Sequence, residues 1–529
     1  MRESKAVTKS ARVPNLWIFE DQLSPVIAER AAASEMRVFM VESRRAFAAW
    51  PFHKRRLTFL VAAMRHFAED LRTAGHKVDY FPLRETNYLD SISAIRAQVK
   101  ATGSNLFFVT RPSEHHTQAW LDTLPTLLGI EIRYFDNDLF LTNRTDFADW
   151  FGRQRKPVME MFYRRARITH GLLMDDDRPV GGKWNLDAAN RKPARSVPRP
   201  LPAVPGFAPD AITLAAMRDV ERHFPTHPGS TAGFDLPVTR VDARRALDDF
   251  LAYRLPSFGP NEDAMLAGEA TLFHSVLSPL INAGLLAPLD IARAAEREFR
   301  EGRAPLNSVE GFIRQIVGWR EYVYGIYWTL MPDYRTRNAR QSTRSLPDWF
   351  WNGDIDLNCL RHAIGGVVER GYAHHIQRLM IICNFATLVG LRPQEVNDWF
   401  YAMFIDAHDW VVTPNVVGMG MNSDAPPGES EGTIATKPYV SSAAYINRMS
   451  DYCTDCRYDP SSRTGDDACP FNFLYWTFLK HFGPAYSKNP RMTMMLKNAD
   501  RIDADEMNEM LQQRKRFIRL TVDGRAYAS

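Results

Sequence analysis

Leu16-Trp-Ile-Phe-Glu-Asp-Gln22 sets four apolar residues directly against three polar ones. A run this short, apolar throughout and cut off by charge, reads as a strand buried on both faces. The same form returns at residues 38–41, 78–81, 106–109 and 130–135. Between the second and third runs, Leu57, Leu60, Val61, Met64, Phe67, Ala68 and Leu71 recur at helical spacing over residues 55–73. Strands alternating with amphipathic helices predict a doubly wound parallel sheet. Ligands of such sheets sit at the carboxyl ends of the strands, here Glu20-Asp21-Gln22 and Glu42. No GxGxxG or GxxxxGK[ST] follows the first strand, which excludes the ordinary dinucleotide and P-loop sites.

Working outward, the alternation stops near residue 140. Residues 141–209 read as a connector, with Arg153, Arg155, Lys156, Arg164, Arg165 and Arg167 close together, then Gly181-Gly182 and a Pro-rich run over 198–209. Such a cluster is either a solvated helix face or a phosphate contact. From 210 to 529 long helical patterns dominate, as at 309–327 and 372–389, with Asp242 and Ser308 placed to cap two of them. The expectation is an α/β domain over 1–140, the connector, and a large all-α domain over 210–529.

The 529 residues are 45% apolar, enough for two cores, and 12% aromatic, as large helical cores require. With 66 basic against 62 acidic residues, nucleic-acid affinity has to come from local clusters. No uncharged stretch approaches the roughly 20 apolar residues that span a bilayer, and MRESKAVTKSAR at the start lacks a signal-peptide core. A cytoplasmic chain with no membrane partner is expected.

Five cysteines, all beyond residue 358, argue against a disulfide framework. Cys453-Thr-Asp-Cys456, Cys469 and the distant Cys359 are enough thiolates to close a coordination shell. Spacing alone leaves zinc and an iron-sulfur cluster equally open. Cys383, inside an apolar run, reads as a small buried side chain. His374 and His375 are adjacent, so they cannot share one helix face. Imidazole is the side chain matched to proton transfer near neutral pH, the alternative being a hydrogen-bonded core histidine.

Gly371-Tyr-Ala-His-His-Ile-Gln-Arg-Leu-Met380, Asp406-Ala407, Pro414-Asn-Val-Val-Gly-Met419, Ala435-Thr-Lys-Pro-Tyr439, Met449-Ser-Asp-Tyr-Cys453 and Cys469-Pro-Phe-Asn472 together resemble the iron-sulfur bacterial cryptochrome and photolyase family. The resemblance runs from Asp21-Gln-Leu23 and His53-Lys-Arg-Arg-Leu57 through Gly181-Gly-Lys-Trp-Asn185 to the last cysteine. It implies a helical FAD-binding domain and a 4Fe-4S cluster on Cys359, Cys453, Cys456 and Cys469. His274, Ser275, Leu277 and Ser278 match the FAD-phosphate loop; Gln315, Trp319 and Arg320 match a flavin wall; Arg378, Asp406 and Asn415 match the isoalloxazine side. Trp399 and Trp351 match the photoreduction relay.

By the same resemblance a 6,7-dimethyl-8-ribityllumazine antenna lies near Asp21, Gln22 and Glu42. A monomer is expected to act on UV-damaged DNA as a (6-4) photolyase, with His375 donating a proton and His374 orienting it. A light-sensing cryptochrome and an iron-sulfur nucleic-acid-binding module without photochemistry are the alternatives. The chain departs from the family pattern at Phe400 and in the segment that begins at His408. Phe400 stands where Tyr or Trp often links the relay, which implies slower photoreduction or a detour through Tyr401 or another aromatic residue. His408-Asp-Trp-Val-Val412 replaces Tyr-Glu-Trp-Val-Glu, so a polar wall residue becomes Val412.

Overall fold

A computed structural model of the chain describes residues 13–33, 35–83, 88–426, 429 and 431–524. The first twelve residues, MRESKAVTKSAR, lie outside them. Strands β1 (Asn15–Trp17), β2 (Arg37–Val41), β3 (Val78–Phe81), β4 (Leu106–Thr110) and β5 (Glu131–Phe135) form one parallel sheet in the order β3-β2-β1-β4-β5. The order reverses at β1, so the crevice between the ends of β1 and β4 is the topological switch point. β1 is shorter than its apolar run because Ile18 makes the last rung, to the Phe39 carbonyl, before Gln22 N–H closes a turn on the Phe19 carbonyl at 3.1 Å.

Side chains alternate across the pleat, and each face has its own core. Trp17, Phe39, Val41, Phe107 and Val109 pack against Ile95 and Leu121 on one side. Leu16, Ile18, Val38 and Met40 face the other way, into an apolar cluster that continues without a break through the helical half to Val522. The helix Lys54–Thr73 buries all seven of its expected apolar residues in that cluster. Its first turn is charged and buried as well: Lys54 pairs with Glu221, Arg55 with Asp235, and Arg56 donates to the Tyr401 carbonyl. His53 extends the joint, its Nε2 lying 3.0 Å from the Val368 carbonyl and its backbone N–H donating to Ala402. The His53-Lys-Arg-Arg-Leu57 run is therefore the clamp between sheet and helices.

The connector is only partly basic surface. Arg167 is buried, donating to the carbonyls of Leu172, Leu173 and Trp184, so it holds a turn rather than a phosphate. Arg164 bonds Glu160 at 3.1 Å and Lys156 pairs with Glu431, while Arg153, Arg155 and Arg165 remain exposed. Neither expected cap holds. Thr239, not Asp242, caps Arg240–Asp249, and Ser308 lies inside Leu306–Ile313, where its hydroxyl accepts from Gly259 N–H at 3.0 Å.

In the helical half, Leu306–Ile313, Arg314–Trp319 and Arg320–Leu330 follow one another as α, π and α turns of a single rod. Gln377–Cys383 and Pro414–Gly420 are π-helical too. A π turn inserts an extra residue and re-aims the side chains around it, and such turns concentrate at functional sites. These three carry Gln315 and Trp319, Arg378, and Asn415 respectively. No helix of the described residues is long and apolar enough to cross a membrane.

Candidate active site

Ser278 opens the helix Ser278–Asn282 after a loop in which Leu272 (φ 49°) and Val276 (φ 56°) are held left-handed. Branched residues resist that conformation, and strain of this kind persists where surrounding contacts enforce it. The loop delivers Ser278 to Asp406, its hydroxyl donating at 2.6 Å, and Asn282 Nδ2 donates to the Asp406 carbonyl at 2.9 Å. Arg378 grips the same carboxylate with both terminal nitrogens, at 3.1 and 3.0 Å, in the bidentate geometry that suits a guanidinium. Burial works against the Asp406 charge, but Arg378 and Ser278 outweigh it and hold the carboxyl below its ordinary range.

His274 stacks on His374 with centroids 4.5 Å apart and planes 15° apart. Burial, reinforced by the neighbouring His375, lowers His274 to about 3. Burial, then the His274, His375 and Arg378 neighbours, pushes His374 well below the ordinary imidazole range. Both are neutral at pH 7. His374 is buried with neither ring nitrogen hydrogen-bonded, whereas its backbone N–H donates to Gln377, which in turn donates to Tyr452. His375 begins the helix and is open to solvent, yet protein surrounds it closely enough that burial and Arg378 lower it to about 4. An open side chain crowded on all sides is one at the floor of a cleft.

Other expected residues divide. Leu277 is buried, the Ser275 hydroxyl accepts from Leu277 N–H at 3.4 Å, Gln315 donates to its own helix at Gly311, and Asn415 to its own helix at Val411. Trp319 is half-buried against three apolar clusters. Arg320 is engaged elsewhere: it bonds Glu321 at 2.6 Å and lies over Phe140 and Trp410, while Glu321 accepts from the Leu141 and Thr142 N–H groups. It works as a joint between connector and helices.

A cavity of about 470 Å³ opens at the switch point, walled by Glu20 and Asp21 after β1, Ser113 and Glu114 after β4, and Trp50, Phe52, Tyr401 and His408 across the joint. Asp21 accepts from the Ser113 hydroxyl at 2.7 Å. Burial, and the Asp21 charge beside it, raises Glu20 to about 7. Burial opposes the Glu114 charge, but His116, His408 and the Asp409 N–H hold it well below the usual carboxylate range. Gln22 and Glu42 do other work. Gln22 donates to the Thr110 carbonyl at 3.0 Å, and Glu42 binds Arg65, Tyr80 and the Leu83 N–H. Glu114, from a distant strand end, carried no sequence signal beyond its place after an apolar run.

Cys359, Cys453, Cys456 and Cys469 line one small apolar pocket, while Cys383 lies apart in the core. Among the described residues no three His, Cys, Asp or Glu side chains close on a point as the ligands of one ion would. A cluster takes one thiolate per iron, so its ligands stand farther apart than those around a single zinc. The four thiols converging on one pocket fit soft-metal ligation. Burial raises Cys453 to about 11 and Cys469 to about 12, and each feels neighbouring thiols of the quartet. Such a set keeps its negative charge only around a cation.

A family model described as deoxyribodipyrimidine photo-lyase-related protein matches residues 16–236. A protein named (6-4) photolyase from Agrobacterium fabrum is 42% identical over 509 residues, covering 95% of this chain and 98% of its own. This chain belongs to the photolyase/cryptochrome family. Two solved structures share the fold. A bacterial class III photolyase from Agrobacterium tumefaciens (TM-score 0.56, 17% identity) covers 98% of this chain and 100% of its own. A Synechocystis cryptochrome (TM-score 0.57, 14% identity) covers 95% and 98%.

Membership in the photolyase/cryptochrome family implies a flavin, and the residues present fit one: the two orphaned nitrogens of buried His374 mark where hydrogen-bonding partners are missing beside the Ser278-Asp406-Arg378 network. Two of the departures from the photolyase pattern are engaged by the protein itself. Val412 is packed in the main core, and His408 faces the switch-point cavity, 3.6 Å from Glu114. Beside Phe400, Trp399 is fully buried, donates to the Phe350 carbonyl at 2.9 Å, and meets the rings of Phe350, Phe400 and Phe404. Trp351 is 37% exposed, and Trp349 stacks on Phe350. Tyr401 turns instead toward Trp50 and Phe52.

Proposed function

We propose that this photolyase/cryptochrome repairs (6-4) pyrimidine photoproducts in DNA with light. The reading is carried by the near full-length similarity to a protein named (6-4) photolyase, with His375 open at the cleft floor beside a buried flavin-type network. FAD, when bound, supplies the light-driven electron and takes it back. The chain's own residues do the rest. Arg378, fixed by Asp406, presents a positive edge to the site, and Ser278 anchors that carboxylate from the loop. His374, stacked on His274, positions the neighbouring backbone. His375 is the group placed to pass a proton at its ring nitrogen to a base extruded from the duplex, where the damaged step is already poorly stacked. Trp399 is the buried indole placed to donate an electron during photoreduction.

The four converging cysteines hold a 4Fe-4S cluster that ties the helix Asn358–Arg370 to the loop ahead of Pro470–Phe482. The switch-point cavity takes the ribityllumazine antenna, with Trp50 and Phe52 as apolar wall and Glu20, Asp21 and Glu114 as the polar end. The deciding experiment illuminates the purified protein with defined cyclobutane and (6-4) lesions and quantifies restored bases. Light-dependent restoration of the (6-4) lesion alone is expected. Restoration of neither lesion, with normal photoreduction, would replace the enzyme by a light sensor.

A further inference from the structure

Many charged side chains on this protein are held in ion pairs. An exception gathers where segment 193–199 packs beside the helix Ala443–Met449, around an open groove of about 570 Å³. Arg195, Arg199 and Arg448 line it, all three exposed and none in an ion pair or side-chain hydrogen bond among the described residues. Asn447 and Thr454 add neutral hydrogen-bonding groups to the wall. One carboxylate, Asp451, also lines the groove and accepts from the Ala267 N–H at 2.8 Å, which leaves the guanidinium groups in excess.

Three guanidinium groups held around one groove repel one another, and an anion with several oxygens relieves that repulsion with charge-assisted hydrogen bonds. The groove's surroundings say which anion. Its floor runs along the Met265–Ser450 bridge, and Glu262, three residues before Met265, lies with its carbonyl 3.1 Å from His274 Nε2 at the flavin-type site. On its other side Thr454 directly follows Cys453. An open groove bordered on one side by the chain that leads to that site and on the other by the cysteine loop suits an extended polyanion better than a compact one.

We propose that this groove binds the phosphodiester backbone of DNA, extending the footprint from the cleft rim onto the wall of the cysteine loop. The inference rests on the reading that the chain acts on DNA. Its contacts are to phosphate, so they position the duplex and carry no sequence or lesion preference. The test needs neither light nor repair. Anisotropy of a labelled undamaged duplex is measured over a salt series for wild type and for Arg195→Gln/Arg199→Gln/Arg448→Gln, with the triple Lys variant as charge-preserving control and bound-flavin absorbance as the check of folding.

Each lost phosphate contact is expected to make the dependence of log affinity on log salt shallower by about 0.9, with damaged and undamaged duplex weakened alike by on the order of tenfold at low salt. The Lys variant keeps the wild-type slope. An unchanged slope in the Gln variant overturns the proposal. So does saturable binding of inorganic pyrophosphate that the Gln variant loses while its DNA slope stays unchanged, since that marks a site for a small polyphosphate. A protein that binds DNA through the groove but repairs no lesion refutes the proposed function and leaves the groove standing.

Discussion

His374 and His375 are neighbours in sequence and opposites in structure. One is buried with both ring nitrogens unbonded; the other begins the helix and opens to the cleft. His375 is held at about 4, first by burial and then by Arg378, so only its neutral form is abundant at pH 7. A general acid of that pKa gains about tenfold in its active form for each unit of acidification. Single-turnover repair is therefore expected to quicken as pH falls from 8 to 6. His375→Asn should keep flavin and cluster, lose that slope, and fall by about a hundred-fold in rate at neutral pH. A flat wild-type profile would remove His375 as the acid. The pair was legible in the sequence as residue types, but not its division of labour, which depends on where the helix begins. Arg320, Gln22 and Glu42 show a related limit: a polar residue near a strand end or in a helix looks the same in sequence whether it faces a ligand or, as their bonds to Glu321, Thr110 and Arg65 show, also stitches two elements together.

Elements were legible in proportion to how local their signal is. Apolar runs and helical spacing placed all five strands and the helix Lys54–Thr73, because burial on a pleat or a helix face is written within a few residues. The π turns were not legible, since the extra residue leaves no mark on composition. Yet they carry Gln315, Trp319, Arg378 and Asn415, side chains on the expected flavin wall. The cysteine quartet shows the other limit. Three members are close in the chain and Cys359 is distant, and the fold brings Cys359 to the loop of the other three. A cluster there cross-links elements that otherwise meet through few contacts, and a binding free energy of that kind becomes folding free energy. Iron analysis is expected to give about four irons per chain with matching acid-labile sulfide. Cys453→Ser should lose iron and soluble yield together, while Cys383→Ser keeps both. Zinc in place of iron, or equal behaviour of the two variants, would sink the cluster.

At the scale of the whole molecule, titratable groups crowded by protein at the sheet–helix joint and around the flavin-type site have their protonation set by folding. Burial, opposed by the Val368 carbonyl, lowers His53 to about 4, and His274 lies near 3. Carboxyls move the other way: burial raises Glu262 to about 8, helped by the adjacent Asp263, and raises Glu20 to about 7. The signs then follow from which state holds more protons. Below pH about 6.5 the unfolded chain protonates its histidines while the folded one does not, so this contribution to stability is lost as pH falls toward 4. Above about 4.5 the unfolded chain releases carboxyl protons that folded Glu20 and Glu262 retain, so their contribution is lost as pH rises through 7 and 8. Between these limits the two sets oppose each other, and past 6.5 the carboxyls act without the histidines. The thermal midpoint is expected to fall on both sides of a broad maximum in the weakly acidic range. Glu262→Gln cannot ionise and should flatten the limb between pH 6.5 and 8 while leaving the acid limb in place. If that variant keeps the full decline above pH 6.5, Glu262 is not the group whose proton folding retains.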